Sequence, residues 1–362
     1  MRYFDFVFHI ILHSLLYYRK EMHRFLLLAL LAMTLGLHAQ DKTGVPVDQW
    51  VNTLKERITL SGYAQAGYTY SSETNGTNTF DVKRIIFMAN GQITDRWRCY
   101  FMFNFNNGGN LLELYTEYNF LPQFRLRLGQ FKTMFSIENP LSPTVLELIN
   151  CYSQSVGYLA GISGDPMYGN HAGRDLGLMA SGELFGKLLH YDIALMNGQG
   201  INVKDKNRHK DVVGNLMLNA TPWLSLGGSF IQGKGNALAL SAAGGTTQVG
   251  EDYTRNRWSA GAVLNTRPLS LRSEYLQGKD GEVKSEGYYA TANCHLHRQF
   301  DLVASYDYFN KNKATGMKQT NYVAGMQWWF YPKCRLQLQY TYCDPSLTNN
   351  YHLLQAQVQV RF

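Results

Sequence analysis

From residue 58 onward, apolar side chains recur at every second position in one segment after another, and this rhythm excludes most folds. Cys99, Phe101, Phe103 and Phe105 alternate with Arg98, Tyr100, Met102, Asn104 and Asn106, and Phe124, Leu126 and Leu128 alternate with Arg125 and Arg127. Tyr288, Ala290, Ala292, Cys294 and Leu296 alternate with Tyr289, Thr291, Asn293, His295 and His297. Cys334, Leu336, Leu338, Tyr340 and Tyr342 do so with Arg335, Gln337, Gln339 and Thr341. Period two means strands, each with one apolar and one polar face. A soluble sandwich seldom keeps its polar phase running so long without a turn. Tilted strands of ~9–11 residues that cross a bilayer do. The mean hydropathy of −0.26 alone would suggest a soluble protein, but in such strands the two faces average out. The 24 Tyr, 19 Phe, 6 Trp and 33 Gly then fit strands, interfacial belts and tight turns.

The connections have their own order. Turn signals stand at Leu121-Pro122-Gln123, Leu184-Phe185-Gly186, Thr221-Pro222, Arg267-Pro268, Arg298 and Pro332-Lys333. Between them lie longer polar stretches, at 71–78, 132–171, 198–208, 234–251, 279–283, 311–317 and 344–350. Alternating short and long connections predict an all-β transmembrane antiparallel β-barrel of about sixteen strands, running from 57–70 to 350–362, with 97–107 the third. The last strand is the sharpest. His352, Leu354, Ala356, Val358, Val360 and Phe362 form an apolar phase, and Gln355, Gln357, Gln359 and Arg361 a polar one read as the lining of a water-filled pore. The terminal Phe362 with Val360 and Val358 resembles the insertion signal of bacterial outer-membrane barrels, which implies recognition by a barrel-assembly machinery and residence among outer-membrane lipid and lipopolysaccharide.

The N-terminus reads as processing rather than fold. Met22-His23-Arg24 opens the apolar run Phe25–Met33, which ends at Leu37-His38-Ala39, the pattern of a secretory signal peptide cleaved after Ala39. Residues 1–39 are thus an extension plus signal peptide, with translation expected to start at Met22. Residues 40–56 form a short periplasmic segment, weakly helical around 47–58, and 57–362 the barrel. Residues 1–39 carry Arg2, Arg19, Lys20 and Arg24 against Asp5 and Glu21, so the formal charge of +7 becomes +5 without them. No basic run interleaved with aromatics points to nucleic acid. The five cysteines are odd in number and lack CxxC spacing, and Cys99, Cys294 and Cys334 fall on the apolar phase as small lipid-facing residues.

Several segments together resemble the phosphate-selective porin O and P family. Phe80–Gly91 is similar to its basic second strand closing on glycine. The run Phe124-Arg125-Leu126-Arg127-Leu128-Gly129-Gln130-Phe131-Lys132-Thr133-Met134-Phe135-Ser136 resembles its fifth strand and the entry to its long loop. Gly173-Arg174-Asp175-Leu176-Gly177, followed by Tyr191 and by Asn197-Gly198, resembles its next strand. The resemblance implies sixteen strands, a homotrimer, a third outer loop folded inward at 132–171, and a periplasmic N-terminus in a Gram-negative outer membrane. It also implies a lysine cluster on an inward-reaching loop where phosphate is selected. Here segment 234–251 has only Lys234, and the nearest basic cluster, Lys204, Lys206, Arg208, His209 and Lys210, lies one loop earlier.

If the apolar phase faces lipid, the lumen receives Arg84, Arg98, Arg125, Arg127, Arg255, Arg257, Arg272, Arg335 and Arg361, with Lys132 at the loop entry. Guanidinium groups keep their charge and attract oxyanions. Glu113, Glu117, Asp175, Glu183, Asp192, Glu274, Asp301 and Asp307 share that phase, so the competing role for each arginine is an ion pair bracing the wall. Arg125 and Arg127 lie on the strand feeding the long loop and are the first candidates for a constriction. Tyr152, Tyr158, Tyr168 and His171 are read as loop packing, and the Trp328-Trp329 pair as part of an interfacial belt.

Gly161-Ile162-Ser163-Gly164-Asp165 fails the GxSxG pattern, and no HExxH, P-loop or dinucleotide glycine motif occurs. No cofactor, metal or catalytic residue is expected. The leading reading is passive diffusion of small solutes, preferably anions and phosphate among them. The alternatives are a channel for a neutral nutrient such as an oligosaccharide, a barrel phospholipase or esterase enlisting His190 or His295, and an adhesion barrel. For the leader, a peptide map of the mature protein is expected to begin at Gln40; recovery of residues 3–18 would overturn that reading.

Overall fold

In a computed structural model, which describes residues 56–362, every strand pairs antiparallel with its chain neighbours and the last strand returns to the first. The first eight strands are β1 (Ile58–Ser71), β2 (Asn78–Gln92), β3 (Trp97–Asn104), β4 (Asn110–Leu121), β5 (Phe124–Lys132), β6 (Arg174–Leu184), β7 (Leu189–Met196) and β8 (Asp211–Thr221). The second eight are β9 (Leu224–Asn236), β10 (Asp252–Asn265), β11 (Leu269–Asp280), β12 (Val283–His297), β13 (Phe300–Asn312), β14 (Met317–Tyr331), β15 (Cys334–Pro345) and β16 (Tyr351–Arg361). This is the closed sixteen-stranded barrel that the alternation predicts. Residues 1–55, on which the leader and most of the 47–58 segment fall, lie outside the described residues.

Closure is carried by the last strand. β16 pairs with β1 from Tyr63↔Arg361 to Ser71↔Leu353. One residue further, Gly62 and Phe362 exchange both backbone hydrogen bonds, at 3.2 and 3.0 Å. Gly62 has to be a glycine here. A Cβ at that position would stand 2.6 Å from the Ile86 carbonyl oxygen and 2.6 Å from Cζ of Phe362, so the terminal ring lies over the bare backbone.

The phase assignment follows from exposure. Leu354, Val358, Val360 and Phe362 face outward at 50%, 42%, 48% and 73%, whereas Gln357 and Gln359 face inward at 1% and 0%. Aromatic side chains gather on the outer face at both ends, as belts at a membrane interface do. Tyr118, Phe120 and Phe124 stack in sequence near one short turn, and Phe300, Trp328 and Phe330 near another. Towards the long loops, Tyr288, Tyr306, Tyr322, Tyr342 and His352 form a continuous chain of ring contacts across β12 to β16.

Three local expectations need correction. β3 stops at Asn104 rather than 107, because Asn107, Gly108 and Gly109 take left-handed φ values of 53°, 87° and 80° that a strand ladder cannot hold. The connection expected at 279–283 shrinks to 281–282, since Lys279 and Asp280 stay in the ladder and Asp280 is held inward by Arg257 and Tyr168. Trp329 is not in a belt with Trp328. It lies on the inward phase, where its Nε1 donates to Asp301 Oδ2 at 2.8 Å.

Gly62→Val is expected to destabilise the barrel by about 1–3 kcal/mol through overpacking against Ile86 and Phe362. Denaturant unfolding of lipid-reconstituted protein measures this, and an unchanged midpoint would refute the closure argument.

Candidate functional site

Residues 133–173, between β5 and β6, leave the rim and run through the interior. Their apolar residues Phe135, Leu146, Ile149, Val156, Leu159 and Met167 are all buried. The wall opposite interrupts its polar phase with Met179, Met196, Val213, Ile231, Leu276, Tyr289 and Phe309, and most of these residues join one cluster with the loop. Burying both sets drives the segment inward. Two capped turns shape it. Helix α1 (Gln154–Leu159) starts where the Ser153 side chain accepts from Val156 N, and a 3-10 turn, Pro166–Tyr168, starts where Asp165 accepts from Met167 N. Tyr158 and Tyr168 are buried in this packing, as expected of them.

Polar tethers from β11, β15 and β16 then fix the loop against the wall. Glu274 on β11 accepts from Ile137 N at 3.0 Å, Ser136 Oγ at 3.0 Å and Tyr289 Oη at 3.1 Å. Arg272, two residues earlier, bridges the loop carboxylates Glu138 at 3.2 Å and Glu147 at 2.5 Å. Arg335 on β15 donates to the carbonyls of Pro143 and Leu146 at 3.2 and 2.8 Å, while its guanidinium lies 5.1 Å from the Trp329 ring centre. Gln337 donates to Glu147 O, Gln339 accepts from Ile149 N, and Gln355 donates to Asn150 Oδ1. The inward face of β16 is therefore not lined by water as expected. Residues 144–150 of the loop cover it.

The sequence-nominated cations divide by this geometry. Arg98 and Arg127 both pair with Glu117, at 2.6 Å each, and Arg127 also sits 4.3 Å over the Tyr115 ring. Arg255 pairs with Asp211 and Arg257 with Asp280, and both are buried beside Tyr168, with Arg257 also donating to the Leu159 carbonyl. Arg257 thus holds the end of α1, while Arg255 ties β10 to Gly198 and Asp211. Lys132 is a staple as well, donating to Asn139 O at 2.7 Å, to Leu141 O at 2.5 Å and to Tyr152 Oη at 3.3 Å. Arg84 donates to Gln65 Oε1 at 2.8 Å and lines the cavity at the long-loop end. Arg125 stands apart. Among the described residues its side chain makes no hydrogen bond or ion pair, and it faces a cavity.

Among the described residues, the loop leaves open at least three cavities. One of about 690 Å³ lies at the long-loop end, lined by Arg84, Lys83, Tyr152 and Asp307. Two lie at the short-turn end, of about 850 and 580 Å³, and Arg272 and Val263 line both. Together these two present Arg125, Arg127, Lys187, Arg267, Arg272, Arg298 and Arg335 against Glu147, Glu183, Asp192 and Asp301.

Other nominated residues have partners that the sequence did not reveal. His190 Nε2 lies 3.0 Å from Asp192 Oδ2, and His295 Nδ1 lies 2.8 Å from Asp301 Oδ1; among the described residues no serine hydroxyl bonds either ring. Cys334 is buried beneath the Arg361 carbonyl at 3.8 Å rather than facing lipid, and all five cysteines are free. The fifth long loop, 237–251, does reach inward, where Ser241 and the Ala242 and Ala243 amides bind Asp165, but it carries no Lys or Arg. Glu138, Glu147 and Glu274 were not singled out as tethers, because their partners lie 125–138 positions away and no local spacing announces them.

A family model described as phosphate-selective porin O and P matches residues 58–150 and 234–362. No curated protein matches the chain. Among solved structures, the chain is similar to an anion-selective porin from Comamonas acidovorans, with 13% identity, 84% of this chain and 99% of that one covered, and a TM-score of 0.63. It is also similar to OmpT, an outer membrane protein of Vibrio cholerae, with 13% identity, 84% and 99% covered, and a TM-score of 0.60. The outer membrane channel DcaP of Acinetobacter baumannii gives 11% identity, 84% and 97% covered, and a TM-score of 0.57. At such identities these likenesses show the fold.

Burial pushes the Glu138 carboxyl up from its ordinary 4.5 to about 7, against the opposing pull of Arg272. With the loop docked, Glu138 therefore holds a proton that a released loop gives up. Its contribution to docking is full below about 4.5 and is lost as pH rises through about 7. Proteolysis within 133–173 of the folded barrel is expected to increase between about pH 5 and about pH 8, and Glu138→Gln to flatten that rise. A wild-type cleavage rate independent of pH would overturn the assignment.

Proposed function

Starting from a chain that belongs to the family of phosphate-selective porins O and P, we propose that this outer-membrane diffusion channel favours small anions. The observation that carries the preference is the charge of the short-turn cavities. Seven Arg or Lys side chains line them against four carboxylates, an excess of three positive charges on the solute side of the loop. In a narrow, low-dielectric passage such an excess raises the local anion concentration and repels cations.

Arg125 contributes most to this field. Arg98 and Arg127 share Glu117, and Arg272 is matched by Glu147, so much of their charge is compensated nearby. Arg125 has no such partner among the described residues. Phosphate is one of the anions the channel would pass, but the inward fifth loop brings no lysine cluster, so the preference rests on net charge rather than on a phosphate-specific ladder. The alternation of short and long connections supports an orientation with short turns in the periplasm and the N-terminal segment on that side. The family supports a homotrimer, and the exposed Phe362 with Val360 and Val358 supports delivery by a barrel-assembly machinery into lipopolysaccharide-bearing membrane.

A unit charge at ~8 Å in water changes an ion's energy by about 0.5 kcal/mol, roughly a twofold change in local concentration. Arg125→Ala is therefore expected to lower the anion-to-cation permeability ratio roughly fourfold, about twofold from each ion, read as a reversal potential across a planar bilayer under a potassium chloride gradient. Arg98→Ala is expected to do less. An Arg125→Ala channel with the wild-type reversal potential would reassign that side chain to the wall.

A further inference from the structure

The larger short-turn cavity differs in kind from the rest of the lumen. One wall, near the short turns, carries Trp329, an indole locked from two directions. Asp301 Oδ2 takes its Nε1 proton at 2.8 Å, and the Arg335 guanidinium stacks 5.1 Å from its ring centre. The other oxygen of Asp301 holds the His295 ring, 2.8 Å away on the neighbouring strand. One buried carboxylate thus orients an indole and an imidazole into the same space.

Beside these rings an apolar patch, Val145 from the loop and Val263 from the wall, is set among polar residues such as Thr144, Ser270, Asn293 and Gln327. Arg272 is paired there with Glu147, and the cations without a carboxylate partner among the described residues are three. Arg335 is buried, and its Nε is unbonded. Arg267 and Arg298 stand at the mouth, on short turns, exposed and without ion pairs among the described residues. A cavity of about 850 Å³ with an apolar and aromatic patch and a few placed charges has the size and character of a small-molecule site. A bare inorganic ion would gain nothing from Trp329 or the two valines. A solute with a ring next to its anionic group would use both the patch and the arginines.

We propose that this cavity is a binding subsite for ring-bearing organic anions, entered from the short-turn end, with Trp329 as the platform for the ring and Arg335 and the arginines at the mouth holding the anionic group. The proposal deepens the reading of the barrel as an anion-favouring channel and rests on it. Sugar phosphates and aromatic carboxylates share this chemistry. Preorganisation supports it, since the indole is held before any solute arrives and loses little freedom on binding.

The test is block of single-channel current through the full-length barrel in a planar bilayer. Glucose 6-phosphate, benzoate, inorganic phosphate and glucose are each added to the compartment facing the short turns. Both ring anions, or one of them if the site takes only that class, are expected to block at lower concentration than inorganic phosphate, and glucose not to block. Trp329→Ala is expected to raise the half-blocking concentration of the ring anion about tenfold, the factor that ~1.4 kcal/mol of lost ring contact represents. Arg298→Gln, at the exposed mouth, is expected to raise it severalfold and serves where Trp329→Ala does not insert. Equal block by phosphate and the ring anions, block by glucose, or block indifferent to both substitutions would overturn the subsite. A wild-type reversal potential showing cation selectivity would instead overturn the anion-channel reading beneath it.

Discussion

A strand that crosses hydrocarbon has no water to bond its backbone, so every N–H and C=O must find a partner within the protein. For sixteen strands this requires a ring without an edge, and the whole molecule depends on the seam between β1 and β16. That seam ends on the paired backbones of Gly62 and Phe362, the latter the last residue of the chain. Once the ring closes, alternation has only two destinations, lipid and lumen. The lumen is then wide enough that something besides side chains has to occupy it.

The loop at 133–173 does so, and it changes the meaning of the lumen charges. Charges withdrawn from water are tolerated where they are paired and hydrogen-bonded, and the inward arginines mostly meet that condition by holding the loop or the wall. Arg257 and Arg335 donate to loop carbonyls, and Arg272 clasps two loop carboxylates. In the proposed anion preference, attraction would rest on a smaller set around the short-turn cavities, where Arg125, Arg267 and Arg298 lack counter-ions among the described residues. Bracing and attraction are thus two fates of one residue type, divided by whether a carboxylate or carbonyl comes within reach.

Much of the scaffold was legible in the sequence because it depends on local periodicity. The strand count, the phase of β16 and the position of the long third loop all follow from spacing that neighbouring residues announce, whereas its inward fold came only from the family resemblance. Errors arose where one residue overrode the period, as at Asn107-Gly108-Gly109, or where adjacent residues of one type were read as a unit, as with Trp328 and Trp329. The candidate site was less legible. Arg84, Arg98, Arg125, Arg127, Arg255, Arg257, Arg272 and Arg335 all sit on the same phase, and nothing in their spacing distinguishes Arg257, buried under Tyr168, from Arg125, which faces a cavity.

The sequence by itself determined a membrane barrel of about sixteen strands, which face meets lipid, and where its long connection lies. Each of these is set by side-chain period and connection length, properties of the chain within a few residues. Only the tertiary structure decided that residues 144–150 cover the glutamines of β16, that Asp301 turns His295 and Trp329 toward one cavity, and which arginines keep an unmatched charge. The physical reason is distance along the chain. Those partners are brought together only when the barrel closes and the loop docks, and a charge is free or spent according to neighbours that sequence spacing does not encode.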